Sequence, residues 1–272
     1  MASNLSNRRT KRLDQLQLKQ QIRDYWEAEP CGSADSLSPV GTHEFFRNTE
    51  LTRATRDPFM RDTVGFGNWR GKSVLEVGCG MGMDLVQFAR AGAHVSAVDL
   101  TEAGVAITTC RLRAEALPGK VIVADAEALP FHSNEYDFVY SWGVIHATPD
   151  TLSAAREMVR VCKPGGRVLA MVYNRYSLVS LQAWLVYGLR RGRMLASPNK
   201  LIAEHVESPG MKVYSRAECA RLFPTLQDLS VQTIVTSWDL RIGRRRFLPS
   251  WLRRAVPSRL GWFMIIQGTK PA

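Results

Sequence analysis

The sequence predicts an α/β fold built on a mostly parallel sheet, and three observations carry that expectation. Short β-branched apolar runs alternate with amphipathic stretches between residues 73 and 174. A glycine-rich turn joins the first run to a helix, and an acid closes each of the next two runs. Strands alternating with helices favour parallel βαβ units, in which ligands gather outside the carboxyl ends of the strands.

Before those units the chain is helical. Residues 1–10 are polar, with Arg8 and Arg9, and are expected to be an irregular end. From Lys11 to Ala28, Leu18, Ile22 and Trp26 recur at helical spacing, and Glu29-Pro30-Cys31-Gly32 ends the pattern. A second helical stretch from about His43 is interrupted at Pro58 and leads through Phe59 and Phe66 toward Trp69. Residues 1–65 are therefore expected to form a helical cap, with Tyr25 and Trp26 as candidate substrate contacts set against the plainer reading of core aromatics.

The stretch Ser73-Val74-Leu75-Glu76-Val77-Gly78-Cys79-Gly80-Met81-Gly82-Met83 reads as a buried strand, a tight turn and a helix start. Glycines there let a backbone approach a bound molecule closely. The second strand, His94–Asp99, ends in a carboxylate about 20 residues after the first glycine, where an acid reaches both ribose hydroxyls. Thr101 to Ala116 reads as a helix with Gly104 as its weak point, and Lys120 to Ala124 as a third strand closed by Asp125 and Ala126. Gly78, Asp99 and Asp125 then converge on one crevice, a nucleoside site. Met83 stands where a dinucleotide fingerprint wants its last glycine, so a pyrophosphate turn is the weaker reading. Glu76, just before the glycines, would repel a phosphate but suits a ligand with an amine and a sulfonium, which points to S-adenosylmethionine.

Further along, Glu135 to Trp142 reads as a fourth strand running into the loop Gly143-Val144-Ile145-His146-Ala147. Asp150 to Cys162 reads as an amphipathic helix, and Lys163-Pro164-Gly165-Gly166 turns into a fifth strand ending near Tyr173. The glycine turn, Asp99, the run Ala124-Asp125-Ala126-Glu127-Ala128-Leu129-Pro130-Phe131 and the Lys-Pro-Gly-Gly turn stand in the order of the shared motifs of class I S-adenosylmethionine-dependent methyltransferases. Residues 74–174 resemble that family, most closely its small-molecule branch, although Ala147 replaces the second histidine of the loop after the fourth strand.

The resemblance implies a Rossmann-like, seven-stranded sheet with helices on both faces and an antiparallel last strand. Residues 66–174 would be the S-adenosylmethionine-binding core, and 175–272 the substrate-side elaboration with final strands at Leu229–Leu240 and Trp262–Gly268. The cofactor contacts it implies are Glu76, Gly78, Cys79, Gly80, Gly82, Asp99, Leu100, Asp125, Ala126, Ser141 and Trp142. Methyl transfer from a sulfonium is an in-line displacement that needs alignment and exclusion of water, so no metal is expected. His146 is the candidate general base, Tyr173 a second catalytic candidate, and Arg175 a substrate contact beside Tyr25, Trp26 and His146.

Composition bounds the remaining possibilities. At 272 residues one α/β domain with additions is the default. Residues 1–174 carry 20 Lys and Arg against 20 Asp and Glu, so residues 175–272, with 16 against 5, supply the whole net charge of +11. That basic half, above all the stretch 241–259, reads as a lid, a peripheral membrane contact or a solvated face. The five cysteines lack metal-type spacing and no apolar stretch approaches the roughly 20 residues of a membrane span, so a cytoplasmic protein is expected. The acceptor is expected to be a small apolar or aromatic molecule. Two rival functions are an RNA methyltransferase using the basic half and a non-catalytic cofactor-binding regulator. Nucleic acid is the less expected partner, because Ser141-Trp142-Gly143-Val144 replaces the Asn/Asp-Pro-Pro-aromatic loop common in base-modifying enzymes.

Overall fold

A computed structural model describes residues 2–242 and 246–272. Parallel strands β1 (Ser73–Val77), β2 (His94–Asp99), β3 (Lys120–Val123), β4 (Tyr136–Trp142) and β5 (Cys162–Asn174) form the main sheet with β6 (Val213–Tyr214), β7 (Gln227–Ile234) and an antiparallel strand, Phe263–Thr269. A small antiparallel ribbon, β8 (Arg241–Ile242) with β9 (Arg246–Phe247), makes the strand at Phe263–Thr269 β10. The order is β3-β2-β1-β4-β5-β10-β7, and β10 runs antiparallel to both β5 and β7. The order reverses between β1 and β4, and such a switch point opens a crevice at the strands' carboxyl ends.

Alternation along the strands explains why both faces are covered. Val74, Phe138, Tyr140, Leu169, Met171 and Ile265 point to one apolar layer, whereas Leu75, Val139, Val168, Ala170, Val172 and Ile266 point to the other. Helix α4, preceded by α1 (Ala2–Ala28), α2 (His43–Arg56) and α3 (Met60–Val64), spans Met83–Arg90 and buries Leu85, Val86 and Phe88 in the first layer. Following α5 (Glu102–Ala114), α6 (Thr151–Val161) buries Ala154, Ala155 and Met158 in the second. Thr101 and Asp150 cap α5 and α6 by accepting from Gly104 N and Ser153 N.

Several expectations need correction. Helix α1 extends back to Ala2, because residues 2–28 contain neither proline nor glycine to break it. The main path of the sheet has the seven expected strands, and an eighth lies off it. The extra one, β6, pairs with Tyr173 and Asn174 where β4, whose last partner is Met171, no longer covers β5. A two-residue strand has no periodicity to detect. The expected strand 229–240 ends at Ile234, and Trp238–Leu240 is a 3-10 turn held by Asp239, which accepts from Thr236 N and Trp262 N.

Beyond β5 the chain forms α7 (Leu178–Ala183), a π-helical turn at Trp184–Gly188, α8 (Pro198–His205) and α9 (Arg216–Leu222). Within the basic stretch 241–259, residues 243–245 lie outside the described residues. Arg241 stacks over Trp238 at 5.4 Å from the ring centroid. Among the described residues no helix is long and apolar enough to cross a membrane.

Candidate cofactor and acceptor site

One cavity of about 620 Å³ lies over the carboxyl ends of β1, β2, β4 and β5, within the size range of small-molecule sites. Its lining includes Glu76, Gly78, Cys79, Gly80, Asp99, Leu100, Asp125, Ala126, Trp142 and Tyr173 of the expected set, together with Tyr25 and Trp26.

At the β1 end the backbone makes the floor. Gly78 N and Cys79 N donate to Val98 O at 2.8 and 3.1 Å, and Gly80 N donates to Asp99 Oδ2 at 2.8 Å. Gly80 has a φ of 51°, and a Cβ placed on it would meet no protein atom within 4 Å. That open cradle admits a ligand against bare backbone. Asp99 Oδ1 accepts from Thr101 N and Oγ1 at 3.0 and 2.6 Å, which fixes the carboxylate while leaving it acceptor capacity toward the cavity. Gly104 is explained by the same carboxylate: a Cβ there would lie 2.9 Å from Asp99 Cγ.

A second polar group sits deeper. Glu76 is buried, and its Oε2 has no hydrogen-bond partner among the described residues. Burial, then the neighbouring Asp84, push its carboxyl well above the usual range. Asp84 Oδ2 accepts from Arg53 Nη2 and from the Tyr140 hydroxyl, both at 2.7 Å. Arg53 comes from α2; burial lowers the pKa of its guanidinium, but Asp84, Tyr140, Asp57 and Cys31 together raise it, so the group stays charged. An orphaned carboxyl beside a fixed guanidinium matches the charges of an amino acid's ammonium and carboxylate.

Helix α1 closes the third side. Lys19, Ile22, Tyr25 and Trp26 line the cavity at helical spacing, and Lys19 Nζ bridges Asp125 and Glu127, each at 2.5 Å. Glu27 fixes the helix in place by accepting from Glu102 N and Ala103 N, both at 2.9 Å, at the start of α5.

One wall of the cavity is aromatic. Tyr173 stacks on Trp262 with centroids 4.1 Å apart and rings 20° from parallel, and Trp142 meets Phe263 edge-on at 5.8 Å. Glu207, in the turn after α8, reaches the cavity beside Tyr173.

Four expected residues lie elsewhere. Gly82 sits against Thr108, whose Cγ2 would be 2.8 Å from an added Cβ, so it serves the packing of α4 on α5. Ser141 is buried and donates to Val77 O at 3.0 Å, tying β4 to β1. Arg175 lies past the end of β5, where Asn174 turns the chain by donating to Gly261 O at 2.9 Å. It pairs with Glu218 at 2.9 Å and donates to Val213 O.

His146 is fully buried in the loop after β4, with its ring edge-on to Tyr173 at 4.4 Å. Neither ring nitrogen has a hydrogen-bond partner among the described residues. Burial, then the Lys212 charge, push its pKa down to about 3. His146 is not among the residues that line the cavity, and it packs against Tyr173, which is. Sequence reading missed Arg53, Asp84, Lys19 and Glu207, which carry no local motif and meet only in the fold.

Fold and site together define an open α/β domain that holds a nucleoside bearing an amino acid. Residues 75–170 match the methyltransferase domain family. An uncharacterised protein of Mycobacterium bovis is 39% identical over 143 residues, 50% of this chain and 52% of that protein. The ubiquinone/menaquinone biosynthesis C-methyltransferase of Idiomarina loihiensis is 31% identical over 166 residues, 59% of this chain and 63% of that enzyme. The chain thus spans about half the length of the first of these curated relatives. Among solved structures, geranyl diphosphate C-methyltransferase from Streptomyces coelicolor A3(2) shares the fold, with a TM-score of 0.62 and 18% identity over 93% of this chain and 98% of that one. Among the described residues no group of three or more His, Cys, Asp or Glu is placed to hold a metal ion.

Proposed function

We propose that this protein is an S-adenosylmethionine-dependent methyltransferase acting on a small apolar or aromatic acceptor. One observation carries the reading: a single cavity runs from the Gly80–Asp99 cradle to the aromatic wall of Trp142, Tyr173 and Trp262. In this reading Asp99 takes the ribose hydroxyls, Asp125 the adenine amine, the orphaned Glu76 carboxyl the ammonium and Arg53 the carboxylate. The bound sulfonium supplies an electrophilic methyl group with a neutral thioether as leaving group. The protein aligns the acceptor and excludes water, with α1 and the turn after α8 as walls. The names of two relatives, a ubiquinone/menaquinone methyltransferase and a geranyl diphosphate methyltransferase, fit such an acceptor. A cytoplasmic setting is in keeping with the five cysteines, none of them in a disulfide.

The test is calorimetric titration with S-adenosylmethionine and S-adenosylhomocysteine, followed by incubation with methyl-labelled cofactor and fractionated cell extract. Micromolar binding and a labelled small-molecule product are expected. Heat with a nicotinamide dinucleotide and none with either sulfur compound would refute the reading, and label appearing in RNA would favour the nucleic-acid alternative.

Peripheral membrane contact belongs to the same proposal. Leu181, Leu185 and Leu189 form an exposed stripe ending at Arg190 and Arg191, while Val179, Ala183 and Val186 of the same stretch line the cavity. An apolar acceptor would then enter from an anionic lipid surface. Co-flotation with phosphatidylglycerol vesicles but not phosphatidylcholine vesicles is the expected outcome, lost in L185E.

A further inference from the structure

We propose that Glu207 is the general base of this cavity and that the acceptor it serves is a flat phenolic ring, an inference that rests on the methyltransferase reading above. The residue lies in the turn after α8 and lines the same cavity as the nucleoside cradle and the aromatic wall. Its neighbours come from four elements. They are Tyr173 of β5, Tyr25 of α1, Cys31 in the turn after α1, and Arg241 of β8.

Two other carboxylates of the cavity share one cation. Asp57 and Asp35 are both held by Arg56, at 3.3 and 3.0 Å. Glu207 instead lies beside the Tyr173 hydroxyl, close enough that each shifts the other's ionisation. A carboxylate accepts several hydrogen bonds at once, so capacity remains for a second hydroxyl from the cavity. Tyr173 is then a positioning residue: its ring is clamped on Trp262 and its hydroxyl adjoins the carboxylate.

Two properties of the surroundings select the acceptor. Trp142, Tyr173, Trp262 and Phe263 present stacked and edge-on rings, which a flat apolar ring matches by offset or T-shaped contact. Burial raises the Glu207 carboxyl to about 7, with Tyr173 and Arg241 limiting the rise. A base of that strength suits a phenol, which ionises near pH ~10, far better than an aliphatic alcohol.

The step balances without any further reactant. As the phenolic oxygen bonds to the methyl carbon, the carbon–sulfur bond breaks and its electron pair stays on sulfur. The phenolic proton passes to a Glu207 oxygen, and the resulting carboxylic acid returns it to solvent. One methyl ether, one neutral thioether and one solvent proton result.

The test uses the full chain saturated with S-adenosylhomocysteine and 2-naphthol as the probe, read by quenching of tryptophan fluorescence. Binding of 2-naphthol is expected to strengthen as pH rises through about 7 in the wild type. In E207Q it is expected to weaken about tenfold and lose that pH dependence, while 2-methoxynaphthalene binds both proteins alike. With labelled S-adenosylmethionine, E207Q should transfer methyl to 2-naphthol about 100-fold more slowly or worse. The conservative E207D is expected to recover part of that rate. Failure of 2-naphthol to bind, an unchanged affinity or pH profile in E207Q, or an undiminished rate would each overturn the proposal. Failure of the wild type to bind S-adenosylhomocysteine would instead overturn the methyltransferase reading beneath it.

Discussion

The two ends of the cavity are built from different kinds of contact. At the nucleoside end, Glu76, Gly78, Gly80, Asp99 and Thr101 lie within 26 residues of one another, and their hydrogen bonds run largely to backbone. At the acceptor end, Trp142, Tyr173, Glu207, Arg241 and Trp262 come from five separated segments and meet through ring stacking and burial. A cradle made of turns is tied to a local sequence pattern, because backbone geometry dictates glycine and acid at fixed spacing. A wall made of side chains is tied only to volume and polarity, which many sequences satisfy. The first end therefore defines a cofactor shared across a family, and the second is free to define the individual acceptor.

Substitutions that break this division should differ in size. The largest effect is expected for Arg53→Met, because α2 then withdraws the cation paired with Asp84 at 2.7 Å. Leaving a buried carboxylate without its partner costs about 3–5 kcal/mol, to be read by denaturant unfolding, and cofactor affinity should fall with it. Next, Asp99→Ala should lower S-adenosylhomocysteine affinity by about 100-fold, near the upper value for charge-assisted hydrogen bonds of about 3 kcal/mol, without changing 2-naphthol affinity. Glu76→Gln should follow at about tenfold for the same reason. If either change altered acceptor binding as strongly as cofactor binding, the two ends would not be separable.

His146 sharpens the comparison from the other side. Its folded pKa lies below the ordinary value of 6.5, so the unfolded chain binds the extra proton between pH 6.5 and about 3. Stability is complete above pH 6.5 and falls as pH drops through that window, by about 2 kcal/mol from pH 7 to 5. His146→Leu should remove that acid loss in thermal unfolding scans and leave cofactor affinity unchanged. The smallest effect is expected at Arg175→Ala. Its pair with Glu218 is about one-third exposed, so less than about 1 kcal/mol of stability should go, with methyl transfer intact.

Much of the fold was legible because strands buried on both faces and amphipathic helices leave strong periodic patterns. Ser73–Val77, His94–Asp99 and the Thr101–Ala116 helix were readable in this way, within a residue or two. Misreadings have specific causes. Arg175 follows Tyr173 at the spacing that would put both on one face of a strand, but β5 ends at Asn174 and the side chain turns away. Ser141 adjoins Trp142 in sequence, yet alternation along β4 sends one to the β1 backbone and the other to the cavity.

By itself the sequence determined the parallel sheet, the position of the glycine cradle and the acid that closes β2. Each of these is a short-range demand of backbone geometry, written within a few residues. Only the tertiary structure decided that α1 and α2 lend Lys19 and Arg53 to the cradle, that His146 packs against Tyr173, and that Glu207 lies beside Tyr173. Those outcomes depend on which surfaces exclude water together, and that is settled by packing between segments as far apart as residues 19 and 125.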